Sequence, residues 1–141
     1  MILYLDTSAW VKLYVSEAGS KELRAHTAKA KALAASVVAY PEARAAFARL
    51  KAQGISTAAK HQQRLAQLNL DWANLLRIEL VPAVVRSAGD LAEVYGLRGF
   101  DSIHLASALW LQEKAGMPLH FAVFDQRLRA AAEQAGLTVV P

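Results

Sequence analysis

The chain has 141 residues, no cysteine, 55% hydrophobic and 20% charged residues, and a formal net charge of +4. That length and apolar content suit one buried core and exclude disordered and fibrous classes, while the lack of cysteine excludes disulfides, thiolate metal sites, iron–sulfur clusters and cysteine nucleophiles. The apolar run from Met1 to Leu5 is cut short by Asp6, too soon for a signal peptide or a membrane span, so a cytoplasmic protein with one domain over 1–141 is expected.

Twenty-nine alanines mixed with Leu, Arg, Lys, Glu and Gln favour helix, so strands should be few and short. In chain order, a strand is predicted from Ile2 to Leu5, then a short helix from Ala9 to Val15 and a longer one from Ser20 to Lys31. A second strand follows from Ala35 to Ala39, with helices from Pro41 to Gln53 and from Thr57 to Leu76. Ile78 to Val81 reads as the third strand, and Ala83 to Tyr95 and Ser102 to Ala115 as helices. Leu119 to Phe124, Gln126 to Ala135 and Leu137 to Val140 read as strand, helix and strand. Pro41 suits a first helical turn, and Gly54, Gly96, Gly116 and Gly136 suit helix ends. Alternating strands and helices predict an α/β domain with a short, mainly parallel central sheet of about five strands and helices on both faces. In such sheets ligands gather beyond the carboxyl ends of the strands, at a topological switch point, so the polar residues just after the apolar strands are where chemistry should lie.

Acids occupy those places. Asp6 directly follows the first strand, and Asp125 closes the apolar run ending at Phe124. Glu42 comes just after the second strand, in the first turn of its helix, and Asp101 heads the helix that begins at Ser102. Each has a modest explanation by itself. Asp6, Asp101 and Asp125 could cap the helices that follow, worth about 1 kcal/mol apiece. Glu42 could be an exposed first-turn acid paired with Arg44 or Arg49. Recurrence of an acid where strand hands over to helix is what suggests one shared cluster. With those four set aside, eight acids face sixteen Lys and Arg, the balance expected of a surface that meets phosphate.

Four segments carrying these acids, LYLDTSAWVKLY, SVVAYPEARAAFARL, LRGFDSIHLASAL and FAVFDQRLRAAAEQAGLTVVP, resemble the motifs of the PIN-domain nucleases, and most closely their VapC-type toxins. The motifs fall in family order over nearly the whole chain. The resemblance implies a PIN-like fold and an acidic site of Asp6, Glu42, Asp101 and Asp125, with the hydroxyl of Thr7 or, in preference, Ser8 as an accessory. It also implies a ribonuclease toxin, a homodimer, held in check by a cognate VapB-like antitoxin whose tail lays an Arg or Lys across the site. One position departs from the pattern: Val123 stands two residues before the last acid, where many relatives have Ser or Thr.

The chemistry fits that site on independent grounds. Clustered carboxylates repel one another, and a divalent cation resolves the conflict. Oxygen-only ligands select Mg²⁺, with Mn²⁺ as the alternative, as one or two ions per site; if two bind, Asp6 is the candidate bridge. Such an ion activates water for attack on phosphorus and offsets charge on the leaving oxygen. Arg44, two residues after Glu42, and Arg127, two after Asp125, are candidates to contact the substrate phosphate. His104, among Ile103, Leu105 and Ala106, reads as a core histidine with one hydrogen bond and neither a base nor a ligand. Trp10, Trp72 and Trp110 read as core or interface.

The expected function is therefore a Mg²⁺-dependent endoribonuclease, with the RNA preference and toxin role resting on the resemblance. One alternative is a non-catalytic PIN-like scaffold for RNA or protein, although a binder of polyanions gains nothing from a negative pocket. The other is an aspartyl-phosphate phosphotransferase with Asp6 as nucleophile. There Ser8 stands where a second Asp would be needed.

Overall fold

The computed structural model describes residues 1–141. Its elements are β1 (Ile2–Leu5), α1 (Thr7–Lys12), α2 (Ser20–Lys29), β2 (Ala32–Ser36), α3 (Ala39–Ala52), α4 (Ala58–Asn74), β3 (Leu76–Ile78), α5 (Pro82–Tyr95), α6 (Gly99–Ala115), β4 (Leu119–Ala122), α7 (Gln126–Gln134) and β5 (Thr138–Val140). The strands make one sheet in the order β3-β2-β1-β4-β5. Every neighbouring pair is parallel, so the fold is the α/β architecture the alternation predicts. No helix is long and apolar enough to cross a membrane.

The strand order reverses direction at β1. From there the chain adds β2 and β3 on one side and β4 and β5 on the other, so the carboxyl ends of β1 and β4 flank the switch point. The two strands are in register, with Leu5 opposite Ala122, and the Asp6 N–H continues the ladder to the Ala122 carbonyl at 3.3 Å.

Alternation along β1 divides the core. Ile2 and Tyr4 point to one face, where they join Leu105 and Leu111 of α6 and Leu128 and Ala132 of α7. Leu3 and Leu5 point to the other, against Trp10 of α1, Leu23 of α2, Phe47 of α3 and Leu68 of α4. Alanines at Ala34 and Ala35 in β2 and at Ala39 and Ala43 in α3 are fully buried, which lets these elements pack closely beneath the cleft described below.

Several boundaries differ from those predicted. The second strand is β2 at Ala32–Ser36 and not Ala35 to Ala39. The β-branched pair Val37 and Val38 suggested a strand, but the Ser36 hydroxyl accepts the Val38 N–H at 3.3 Å, and the chain turns there into α3. The third strand is Leu76–Ile78, displaced toward the N-terminus from the predicted Ile78 to Val81. Its partner β2 ends at Ser36, opposite Ile78, which leaves Leu80 and Val81 beyond the ladder. Likewise β4 stops at Ala122, where β1 ends, two residues before the predicted Phe124. Val123 is fully buried on the side of α6 and α7, with its N–H bonded to the Val140 carbonyl at 3.1 Å. A hydroxyl at that position is therefore replaced by core packing.

Gly19, at the start of α2, has φ of +90°, and a Cβ there would lie 2.5 Å from the Phe124 ring. Gly19→Ala combines left-handed strain with displacement of that ring, and about 2 kcal/mol of destabilisation is expected. A denaturant melt should show it as a lower midpoint with unchanged slope.

Candidate active site

A cleft of about 790 Å³ opens at the switch point, and Asp6, Glu42, Asp101 and Asp125 all line it. Asp6 is the first residue beyond β1 and the N-cap of α1. Its Oδ1 accepts the Ala9 N–H at 2.8 Å and the Ser8 hydroxyl at 2.9 Å. Asp125 plays the same part for α7, its Oδ2 accepting the Leu128 N–H at 2.8 Å. Capping and presence in the cleft are thus compatible, because each cap uses one oxygen and leaves the other without a protein donor. Glu42 comes from the first turn of α3, and its Oε1 accepts the Thr7 hydroxyl at 2.5 Å and a hydrogen bond from His104 Nε2 at 3.0 Å. Asp101 is not the head of its helix. α6 begins at Gly99 with Arg98 as N-cap, so Asp101 sits inside the first turn. Both candidate hydroxyls touch a carboxylate, Ser8 that of Asp6 and Thr7 that of Glu42.

Burial pushes Asp6 upward, beyond what the neighbouring His104 and the bonds from Ala9 and Ser8 offset, and Asp101 adds to the rise. Asp101 is also raised, by burial first and then by Asp125 and Glu42 beside it. Burial works against Glu42 as well, but the hydrogen bonds from His104 and Thr7 hold it below the usual range. An acid with a raised folded value withdraws stability as pH climbs from its ordinary 3.8 through that folded value, as Asp6 and Asp101 do. Glu42 has the opposite sign, its contribution being present above its ordinary 4.5 and lost as pH falls through its lowered value. Without divalent cations the melting temperature should therefore fall as pH climbs from about 3.8 through the folded values of Asp6 and Asp101. A thermal-shift series should show that slope flattened by Asp6→Asn.

No three of these side chains, as they stand, close into a cage around an ion. The donor set nonetheless fits a hard divalent cation. All the cleft's acids offer oxygen, one oxygen each on Asp6, Glu42 and Asp125 has no protein donor, and two of the four are raised by unrelieved burial and mutual repulsion.

Around the acids the cleft is lined by Lys12, Arg49 and Arg98 and by the rings of Phe100 and Phe124. Lys12 is held 3.1 Å from Glu17 and 4.6 Å over the Phe124 ring. The two arginines proposed from sequence to meet phosphate lie outside this lining. Arg44 bonds the Tyr40 hydroxyl at 3.3 Å and borders a separate hollow with His61 and Leu65. Arg127 reaches the Gly96 carbonyl at 3.4 Å. Helical spacing accounts for Arg44. Two residues from Glu42 places it on a different face of α3, whereas Arg49, seven residues on, shares Glu42's face. His104 is buried as predicted, but it makes three contacts and not one, to Glu42, Thr7 and Tyr4. Only its place three residues after Asp101 on α6 hinted at the site.

Residues 3–134 match the family model described as PIN domain. The chain is 37% identical over 147 residues to "Ribonuclease VapC45" of Mycobacterium tuberculosis (strain CDC 1551 / Oshkosh), covering 99% of this chain and 95% of that protein. It is 34% identical to "Ribonuclease VapC46" of Mycobacterium tuberculosis (strain ATCC 25618 / H37Rv), covering 98% and 95%. Among solved structures it is similar to a toxin-antitoxin complex from Klebsiella pneumoniae, with a TM-score of 0.67 and 18% identity over 99% of this chain and 96% of that one. It is also similar to FitAcB from Neisseria gonorrhoeae, with a TM-score of 0.66 and 21% identity over 100% and 97%. At those identities the structural likeness is one of fold.

Proposed function

We propose that this chain, which belongs to the PIN domain family, is a divalent-metal-dependent endoribonuclease acting as the toxin of a toxin–antitoxin pair. The observation that carries the chemistry is the meeting of Asp6, Glu42, Asp101 and Asp125 in one cleft at the sheet's switch point. RNA as substrate is supported by the near full-length relatives named ribonucleases. The toxin role is supported by their VapC names and by the structural neighbours described as a toxin-antitoxin complex.

In this reading the four carboxylates hold Mg²⁺ or Mn²⁺, as one or two ions. When bound, the cation acidifies a water and offsets charge on the leaving oxygen. The chain itself does the positioning. Ser8 and Ala9 fix Asp6, the α7 amide of Leu128 fixes Asp125, and Thr7 with His104 fixes Glu42. Arg49 and Arg98 line the cleft with the acids and would receive the substrate phosphates, a role proposed from sequence for Arg44 and Arg127. The partner is a VapB-like antitoxin that places an Arg or Lys among the same acids, and the protein is a cytoplasmic homodimer.

A phosphotransferase reading has less support, because the residue two after Asp6 is Ser8, which donates its hydrogen to Asp6 and offers no carboxyl. The test is incubation of the purified chain with a mixed RNA pool in Mg²⁺, in EDTA, and in EDTA followed by excess Mn²⁺. Cleavage is expected in the first and third only. Intact RNA in all three would favour the non-catalytic scaffold.

A further inference from the structure

His104 is a buried titratable group whose ring is engaged at both nitrogens. Nε2 lies 3.0 Å from Glu42 Oε1 and 2.9 Å from Thr7 Oγ1, and Nδ1 lies 3.0 Å from the Tyr4 hydroxyl. That hydroxyl also accepts the Ser36 N–H at 3.1 Å. Tyr4 is fully buried in β1, and burial pushes its phenol upward, so it keeps its proton.

These partners fix where the hydrogens sit. A carboxylate oxygen only accepts, so an unprotonated Nε2 would set one lone pair against another; Nε2 therefore carries hydrogen. The Tyr4 oxygen is already supplied by Ser36 and has its own O–H to give. It lies 3.0 Å from Nδ1, and that contact sets the plane of the His104 ring. The contacts run from the Ser36 N–H to Tyr4, from Tyr4 to Nδ1 of His104, and from the Nε2–H of His104 to Glu42 Oε1, where Thr7 also donates. Glu42 Oε2 receives none.

We propose that His104 is a positioning residue which, with its ring set by Tyr4, donates from Nε2 to pin Oε1 of Glu42 and leaves Oε2 as the oxygen offered to a divalent cation. The proposal rests on the reading of the cleft as a cation site. The physical gain is preorganisation. A glutamate at a helix start has free side-chain torsions that cation binding would otherwise have to freeze, and here the protein holds them beforehand.

Two measurements test this on the full chain. Long-range ¹H–¹⁵N spectra without metal are expected to show His104 carrying hydrogen at Nε2; an Nε2 without hydrogen overturns the proposal. Calorimetric titration with Mn²⁺ is then compared for wild type, His104→Gln and His104→Leu, each checked for folding by circular dichroism. His104→Leu should bind about tenfold or more weakly, while His104→Gln, whose amide can donate in place of Nε2–H, should stay within about threefold. Wild-type affinity in a folded His104→Leu overturns the positioning role and leaves the cation site standing. A wild type that binds no Mn²⁺ overturns the cation site and this proposal with it. Should His104→Leu fail to fold, Tyr4→Phe takes its place. Weaker Mn²⁺ binding is expected there, and wild-type affinity in a folded Tyr4→Phe overturns the proposal.

Discussion

Asp6→Asn is expected to abolish RNA cleavage, by about a thousandfold or more, while leaving the chain folded. Asparagine caps a helix as well as aspartate, so its side-chain oxygen can keep the Ala9 N–H that Asp6 holds at 2.8 Å. What it removes is the negative charge at the deepest of the four acids, 4% exposed. Losing roughly 4 kcal/mol of transition-state stabilisation through weaker cation binding and orientation corresponds to that rate loss. The same substitution should raise the melting temperature of the metal-free protein at neutral pH, because burial disfavours the charge being removed. Saturating Mg²⁺ should reverse the order, since only the wild type gains stability from binding. A loss of activity smaller than about tenfold, or a variant that melts lower without metal, would contradict the place given to Asp6.

The second large effect concerns the scaffold behind the cleft. Trp10 is 1% exposed in α1, with its ring 5.5 Å from that of Trp72 in α4 and 6.1 Å from that of Tyr14. Trp10→Ala should cost about 3–5 kcal/mol, a large part of the total for a domain of this size. That corresponds to a fall of roughly 10 °C in melting temperature. Trp10→Phe, which keeps an aromatic ring in the space, should recover most of it. Because α1 also carries Thr7 and Ser8, cation affinity should fall in the alanine variant even at temperatures where it is folded. A melting temperature unchanged to within about 2 °C would show that the aromatic contacts are not what holds α1 in place.

Local chemistry made part of the site readable. Asp6 and Asp125 each end an apolar run and begin a helix, so an acid breaking a hydrophobic stretch marked both the sheet's edge and the cleft. Glu42 kept its first-turn position although its strand is Ala32–Ser36, because the Ser36 turn shifted strand and helix start together. Strand ends were less readable because they depend on partners: β3 stops where β2 stops, not where its β-branched residues stop. Arg49 was open to a stricter use of helical spacing, since seven residues from Glu42 is two turns along the same face. His104 was not. Its partners Tyr4, Thr7 and Glu42 lie 100, 97 and 62 residues away in the chain, and its own neighbours are apolar, so only the folded arrangement shows that a core histidine serves the carboxylates.

Anomalous diffraction from crystals grown with Mn²⁺ tests the shared cation site most directly. The expected result is one peak, or a close pair, in the cleft bounded by Asp6, Glu42, Asp101 and Asp125, with Glu42 contributing Oε2. A map with no peak among those four side chains at saturating Mn²⁺, or with Mn²⁺ bound only elsewhere on the molecule, would contradict it.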